Sequence, residues 1–207
     1  MHIEKIINTP VNSNCYVINY SNSEECIIID PGSDCNTILY DYLVDNNLVP
    51  CKVILTHEHF DHIWGVLDLS NRYSFELICN QNCMKAIPNP KKNLSIFYNQ
   101  LGFSIENEVK TIEELGFSFK WNGNHISFLN TPGHSDGSIC IQVNEILFCG
   151  DILIQNEKTV TKFPGGSSHK LYETLSMIKS KFSPETLIHS GHGESFLLKN
   201  YYIYSEL

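Results

Sequence analysis

The sequence predicts a layered body of strands and helices, folded as one domain over residues 1–207. Three observations carry this reading. From Cys26 to Cys79 the pattern runs strand, helix, strand, helix, strand, the alternation from which layered domains are built. With 207 residues, 42% hydrophobic and 11% aromatic, the chain can bury a sizeable core. No repeat, low-complexity tract or linker divides it.

The elements follow in order. Up to Asp30 there are three short strands, HIEKII, CYVINY and CIIID, parted by Asn, Ser and Pro turns. Asp30-Pro31-Gly32 ends the third sharply. Residues 36–47 place apolar side chains at 38, 39, 42 and 43, a helical stripe closed by Asn46-Asn47. Lys52–Leu55 is apolar, β-branched and too short for a helix, so it reads as a buried strand. It leads into a polar cluster and then a helix, FDHIWGVLDL, reaching about Ser70. FELIC (75–79) is the next strand.

Residues 80–116 carry Asn and Pro breaks, room for a short helix and no clean period. They read equally as a lid or pocket insertion and as a connecting loop. Asn122-Gly123 between FSFKW and HISFLNT signals a hairpin, and His125 in its second strand should face solvent or pack. Ser138–Val143 and EILFCGD follow as strands. FPGGSS turns into a helix, HKLYETLSMIKSKF, but lacks the Lys and following Ser/Thr of a phosphate-binding loop. ETLIHSGHG is the last strand. The aromatic tail, Phe196 to Tyr204, is free to pack on its own domain or on another subunit.

Composition narrows the class of function. A formal net charge of −9 argues against a general nucleic-acid binder, which needs a basic face. No apolar run nears the roughly 18 residues of a membrane span. The opening MHIEKIINTP does not read as a signal peptide. Eight cysteines include no C-x-x-C pair, and Cys26, Cys51, Cys140 and Cys149 lie in or beside apolar runs as free thiols do. The expectation is a cytoplasmic protein acting on a small molecule, with no nucleic-acid or membrane partner.

One stretch concentrates the chemistry. Residues 56–62, THEHFDH, place three histidines and an aspartate within six positions after the buried strand. In extended backbone, side chains two apart share a side, so His57 and His59 can converge on one point. Asp61 and His62 then open a helix and turn toward a neighbouring point. Such a stretch can supply ligands to two metal ions. Three further candidates, His134, Asp151 and His192, each sit at the end of an expected strand beside a glycine.

These stretches resemble the metallo-β-lactamase-fold hydrolases, especially the glyoxalase II-like branch. The matching segments are IIIDPG, THEHFDH, TPGHSDGS, FCGD and SGHG, in the family's order over about residues 14–193. The resemblance implies the α+β class: an αββα sandwich of two mixed sheets, helices outside, with the metal site at one edge. It assigns His57, His59 and His134 to a first ion, and Asp61, His62 and His192 to a second, with Asp151 bridging. Asp30 would orient ligands rather than bind metal. Two divalent ions are implied, zinc first, with iron or manganese as alternatives.

The implied activity is hydrolysis of a small ester, a thioester first, in the manner of a hydroxyacylglutathione hydrolase. Two ions about 3.5–4 Å apart would share a water and lower its pKa toward about 7. Asp61, with His59 and Asp151, would form the catalytic group. The rival readings are a mononuclear-iron persulfide dioxygenase, using His57, His134 and Asp151, and a lactonase or phosphodiesterase. Class B1 and B2 β-lactamases need a cysteine late in the site, where Asp151 stands, and flavodiiron proteins a Glu in place of His59. Only 15 residues follow His192, too few for the helical region that holds glutathione in glyoxalase II. Val160 and Lys162 stand where an Arg and an Asp are usual, and Asp136 where a Pro is usual. His169 and His189 read first as structural, and as substrate contacts second.

Overall fold

The computed structural model describes residues 1–201; residues 202–207, the far end of the aromatic tail, lie outside the described residues. The first sheet runs in chain order: β1 (His2–Ile7), β2 (Asn14–Asn19), β3 (Glu25–Ile29), β4 (Val49–Ile54), β5 (Glu76–Cys79) and β6 (Val109–Thr111). It is antiparallel as far as β3 and parallel beyond. The second sheet has the order β12 (Phe196–Leu197), β11 (Leu187–Ser190), β10 (Ile146–Gly150), β9 (Ile139–Val143), β8 (Asn124–Asn130), β7 (Ser118–Trp121). Only its β10–β11 pair is parallel. Both sheets are therefore mixed, as expected.

Parallel neighbours need crossovers, and the helices supply them. α1 (Thr37–Asp45) joins β3 to β4, α2 (Phe60–Ile63) and α3 (Gly65–Ser70) join β4 to β5, α4 (Gln81–Ala86) and α5 (Ser95–Asn99) join β5 to β6, and α6 (Ser168–Lys181) joins β10 to β11. The strand period of two then splits the apolar side chains into layers. Along β3, Ile27 and Ile29 enter the core between the sheets with Phe128, Ile141 and Phe148. Cys26 and Ile28 enter the core under α1 and α3 with Leu39, Leu43 and Val66. A third core packs α6 (Leu175, Ile178) on Cys140, Leu147 and Cys149. Helix, sheet, sheet, helix is the result.

Several boundaries differ from the sequence reading. β4 begins at Val49, not Lys52, although Pro50 lies inside it; the register shifts there, Cys26 facing Pro50 and Ile27 facing Lys52, and a bulge tolerates the missing N–H. The buried stripe of α1 is Leu39, Tyr40 and Leu43, while Ile38 is 59% exposed. The helix after the histidine cluster is broken at Trp64. There the Gly65 N–H donates to the Pro31 carbonyl, and the Asp61 carbonyl accepts from the Ser13 hydroxyl instead of continuing the helix. ETLIHSGHG is not the last strand, since β12 returns along β11. Asn122-Gly123 does form the hairpin, both residues at positive φ as the tight turn requires, and His125 is exposed. All eight cysteines are free. No helix among the described residues is long and apolar enough to cross a membrane.

Candidate metal centre

The strand ends meet at one edge of the sandwich. The Thr56 carbonyl at the mouth of β4 accepts from the Ile139 N–H of β9, which joins the two sheets there. The Gly191 N–H donates to the Gly150 carbonyl, and the Asn14 N–H to the Gly191 carbonyl, so β2, β10 and β11 close the other side. Gly150 has φ +49, and a Cβ on it would stand 2.4 Å from Thr56 Oγ1, so the residue before Asp151 must be glycine.

His59 is still extended (φ −66, ψ 142) and α2 starts at Phe60, so His57 and His59 share one side while Asp61 and His62 turn from it. The rings of His57 and His59 lie 4.6 Å apart, and that of His134 4.9 and 4.5 Å from them. His57, His59 and His134 bring ligand atoms within 4.8 Å of one another, and so do Asp61, His62 and His192. The Asp151 carboxylate stands between the sets: Oδ1 is 3.4 Å from His62 Nε2, and Oδ2 is 3.6 Å from both His134 Nε2 and His192 Nε2. All seven sequence candidates are thus brought together.

Outer partners fix which ring nitrogen faces inward. The Thr56 hydroxyl donates its one proton to Asp30, so it accepts from His57 Nδ1–H at 3.1 Å and leaves Nε2 as a bare lone pair. Asp30 also accepts from His62 Nδ1–H (2.9 Å) and from the Thr56 N–H (2.7 Å). His134 Nδ1–H donates to the Val160 carbonyl (2.8 Å), and His192 Nδ1–H to that of Asn12 (3.0 Å). Because its oxygens are already filled, Asp30 belongs outside the ligand sets although it lies close to His57 and His62.

The electrostatics favour a cation. Burial lowers the pKa of His57 and His134, and takes His59 to about 3, so these imidazoles are neutral with lone pairs free at neutral pH. Burial opposes charge on His62 too, yet Asp151 and Asp61 raise it; burial opposes ionisation of Asp151, yet His62 holds it well below the carboxylate range. Of the atoms turned toward the other ligands, His57 Nε2, His62 Nε2 and Asp151 Oδ1 are buried without a hydrogen-bond partner. Such orphans are rare and call for an explanation. His59 Nδ1 and His134 Nε2 approach to 2.8 Å, which needs a proton between them or a cation beside them. The donor set fits divalent metal ions.

Other sequence candidates fall away. His169 is exposed on α6 beside Glu173. His189 packs on Phe148 and Tyr16, with Nδ1 2.6 Å from Ser195 Oγ. Burial lowers its pKa from 6.5 to about 4. The unfolded chain therefore takes up this proton first, and stability held above pH 6.5 falls as pH drops toward 4. Between pH 7 and 5 the loss from this group is expected to be about 2 kcal/mol, and His189→Phe should remove it. Urea unfolding of both proteins at the two pH values checks this.

Sequence reasoning singled out Asp30 among the outer partners but missed the others. Thr56 stands inside the motif and was open to recognition. Asn12 and Val160 were not: both act through backbone carbonyls, which leave no mark on residue type.

Comparison with known proteins agrees with this architecture. The family described as the Metallo-beta-lactamase superfamily matches residues 8–192. A probable metallo-hydrolase of Bacillus subtilis, YqgX, is 27% identical over 89% of this chain and 86% of its own. The hydroxyacylglutathione hydrolase GloC of Haemophilus influenzae is 28% identical over 93% of this chain and 91% of its own. The crystal structure of BLEG-1, a B3 metallo-beta-lactamase, superposes with TM-score 0.86 at 27% identity, over 96% of this chain and 95% of the other.

Proposed function

The chain belongs to the metallo-beta-lactamase superfamily, and from that premise we propose that it hydrolyses a small thioester with two divalent ions, zinc first. The observation that carries the reading is the Asp151 carboxylate, placed against His134 of one set and His62 and His192 of the other. Asp61, His62 and His192 bring ligand atoms within 4.8 Å of one another, which supports a place for a second ion.

His57 Nε2, His59 Nδ1 and His134 Nε2 would hold one ion, Asp61, His62 and His192 the other, and Asp151 both. Bound there, the ions supply Lewis-acid polarisation of the ester carbonyl and acidify a water molecule at neutral pH. The remaining work falls to the chain. Asp30, Thr56, Asn12 and Val160 keep the rings in the required tautomer, as outer partners do in metal sites. Asp61, with its pKa lowered (burial opposes this, His62 and His192 outweigh it), stays ionised and is placed to orient water or take its proton. No proton donor is required: a thiolate, with a pKa of about 8.5, departs without prior protonation. GloC, of nearly the same length as this chain, supports the substrate class by its name. The fold alone would not, since one fold hosts many activities.

A panel of thioesters, oxygen esters, lactones and phosphodiesters tests the proposal. Thioesters should be turned over with kcat/KM on the order of 10⁴ M⁻¹s⁻¹ or more, abolished by chelation and restored by added ion. Turnover confined to lactones or phosphodiesters would overturn the thioester assignment.

A further inference from the structure

Beside His59 lies an apolar cleft of about 230 Å³ lined by Phe60, Leu94, Phe97, Tyr98 and Phe163. We propose that this cleft is a substrate subsite that takes an unbranched aliphatic or aromatic group carried by the ester. The inference rests on the hydrolase reading for the identity of that ester, and on geometry for the subsite itself.

The cleft is tied to the metal motif. Phe60 follows His59 directly, and its N–H donates to the Asn93 carbonyl at 2.8 Å. Asn93 is fully buried and holds the whole turn: its amide donates to the carbonyls of Ile87 and Phe103, and its Oδ1 accepts from the Ser95 N–H. The single turn of α5 is bounded by Leu94 at φ 66 and Gln100 at φ 62, both left-handed and neither glycine. Non-glycine residues keep such backbone only where the surroundings enforce it, and these positions cluster at functional sites. The turn so held presents Phe97, 72% exposed, and Tyr98, whose ring lies tilted 5.0 Å from that of Phe60. From the opposite wall Phe163 reaches within 5.9 Å of the His59 ring.

An apolar cleft with one wall on the residue after His59 and another against the His59 ring is the pattern of a ligand site rather than of scattered surface residues. Its size excludes a large occupant, being below the roughly 300–1,000 Å³ of a drug-sized ligand site. A fragment of the substrate fits. Among the described residues no charged side chain lines the cleft, so the fragment is uncharged.

Two measurements test this, one of them independent of turnover. In metal-free protein, Trp64 stands 5.6 Å from the Tyr98 ring, so its emission should report occupancy of the cleft, while Trp121 lies in the inter-sheet core. Titration with straight-chain alcohols of two to eight carbons should show affinity rising about two- to four-fold per methylene. In the metal-loaded enzyme, a series of thioesters lengthened in the acyl group and a second lengthened in the thiol should reveal the same dependence on one of the two arms, which identifies the part that enters the cleft. Phe97→Ser and Phe163→Ser, on separate elements, should each flatten both dependences. Alcohol affinity that does not vary with length, or that is unchanged in both variants, would overturn the subsite. So would a dimer of the native protein that dissociates in Phe97→Ser, since the patch would then be a subunit interface. Length-dependent alcohol binding without thioester turnover would instead retain the subsite and reject the thioester reading.

Discussion

Replacing Asp151 by alanine is expected to strip the protein of both metal ions and lower kcat/KM at least about a thousandfold, beyond the roughly 10–100-fold typical of an outer partner. The carboxylate approaches His134 of one ligand set and His62 and His192 of the other. It also balances a site whose other anionic ligand is Asp61 alone, so its loss removes half of the negative charge that offsets two divalent cations. His192→Ala is the informative contrast. His192 belongs to one set only and is a quarter exposed, so its loss should release about one ion and keep the other. Metal analysis of the two variants beside the native protein checks both outcomes. Equal stoichiometry in Asp151→Ala and the native chain would remove the bridging role.

Asp30→Ala is expected to weaken metal binding about 10–100-fold without touching a ligand atom, and to destabilise the metal-free protein as well. The carboxylate is 1% exposed and accepts from the Thr56 N–H, the Thr56 hydroxyl and His62 Nδ1–H. Truncation leaves a buried backbone N–H, a hydroxyl and an imidazole without acceptors, a loss of about 3–5 kcal/mol for a buried charged partner. Thr56 then also ceases to fix the tautomer of His57, so one substitution loosens a ring in each set. Asp30→Asn keeps an acceptor for the Thr56 N–H and should fall between alanine and native. Urea unfolding of the apo proteins, followed by metal titration, separates the two effects. A midpoint in Asp30→Ala within about 0.5 kcal/mol of native would show that the network contributes little.

Much of this molecule is legible in the order of its residues. The ligand cluster is, because an extended strand mouth followed by a helix start converts THEHFDH into two converging directions without help from the rest of the chain. The sandwich is legible at one remove: alternation along CIIID predicts a strand with two apolar faces, and the structure shows why both are apolar, one under α1 and one against the second sheet. What the sequence hid is set by long-range contacts. The break at Trp64 depends on a carbonyl at Pro31 and a hydroxyl at Ser13, neither near it in the chain. The bulge that admits Pro50 depends on the pairing of β3 with β4. Residues 80–116 showed no period because they hold two short helices, an edge strand and a turn whose aromatic residues are displayed rather than buried.

The central claim is a pair of metal ions held by seven side chains around Asp151. Elemental analysis of the protein purified without added metal or chelator tests it most directly. The account predicts about two divalent ions per chain, zinc or zinc mixed with iron or manganese, falling to about one in His192→Ala. One iron per chain and nothing else, unchanged in His192→Ala, would contradict it and direct attention to oxygen consumption with a persulfide.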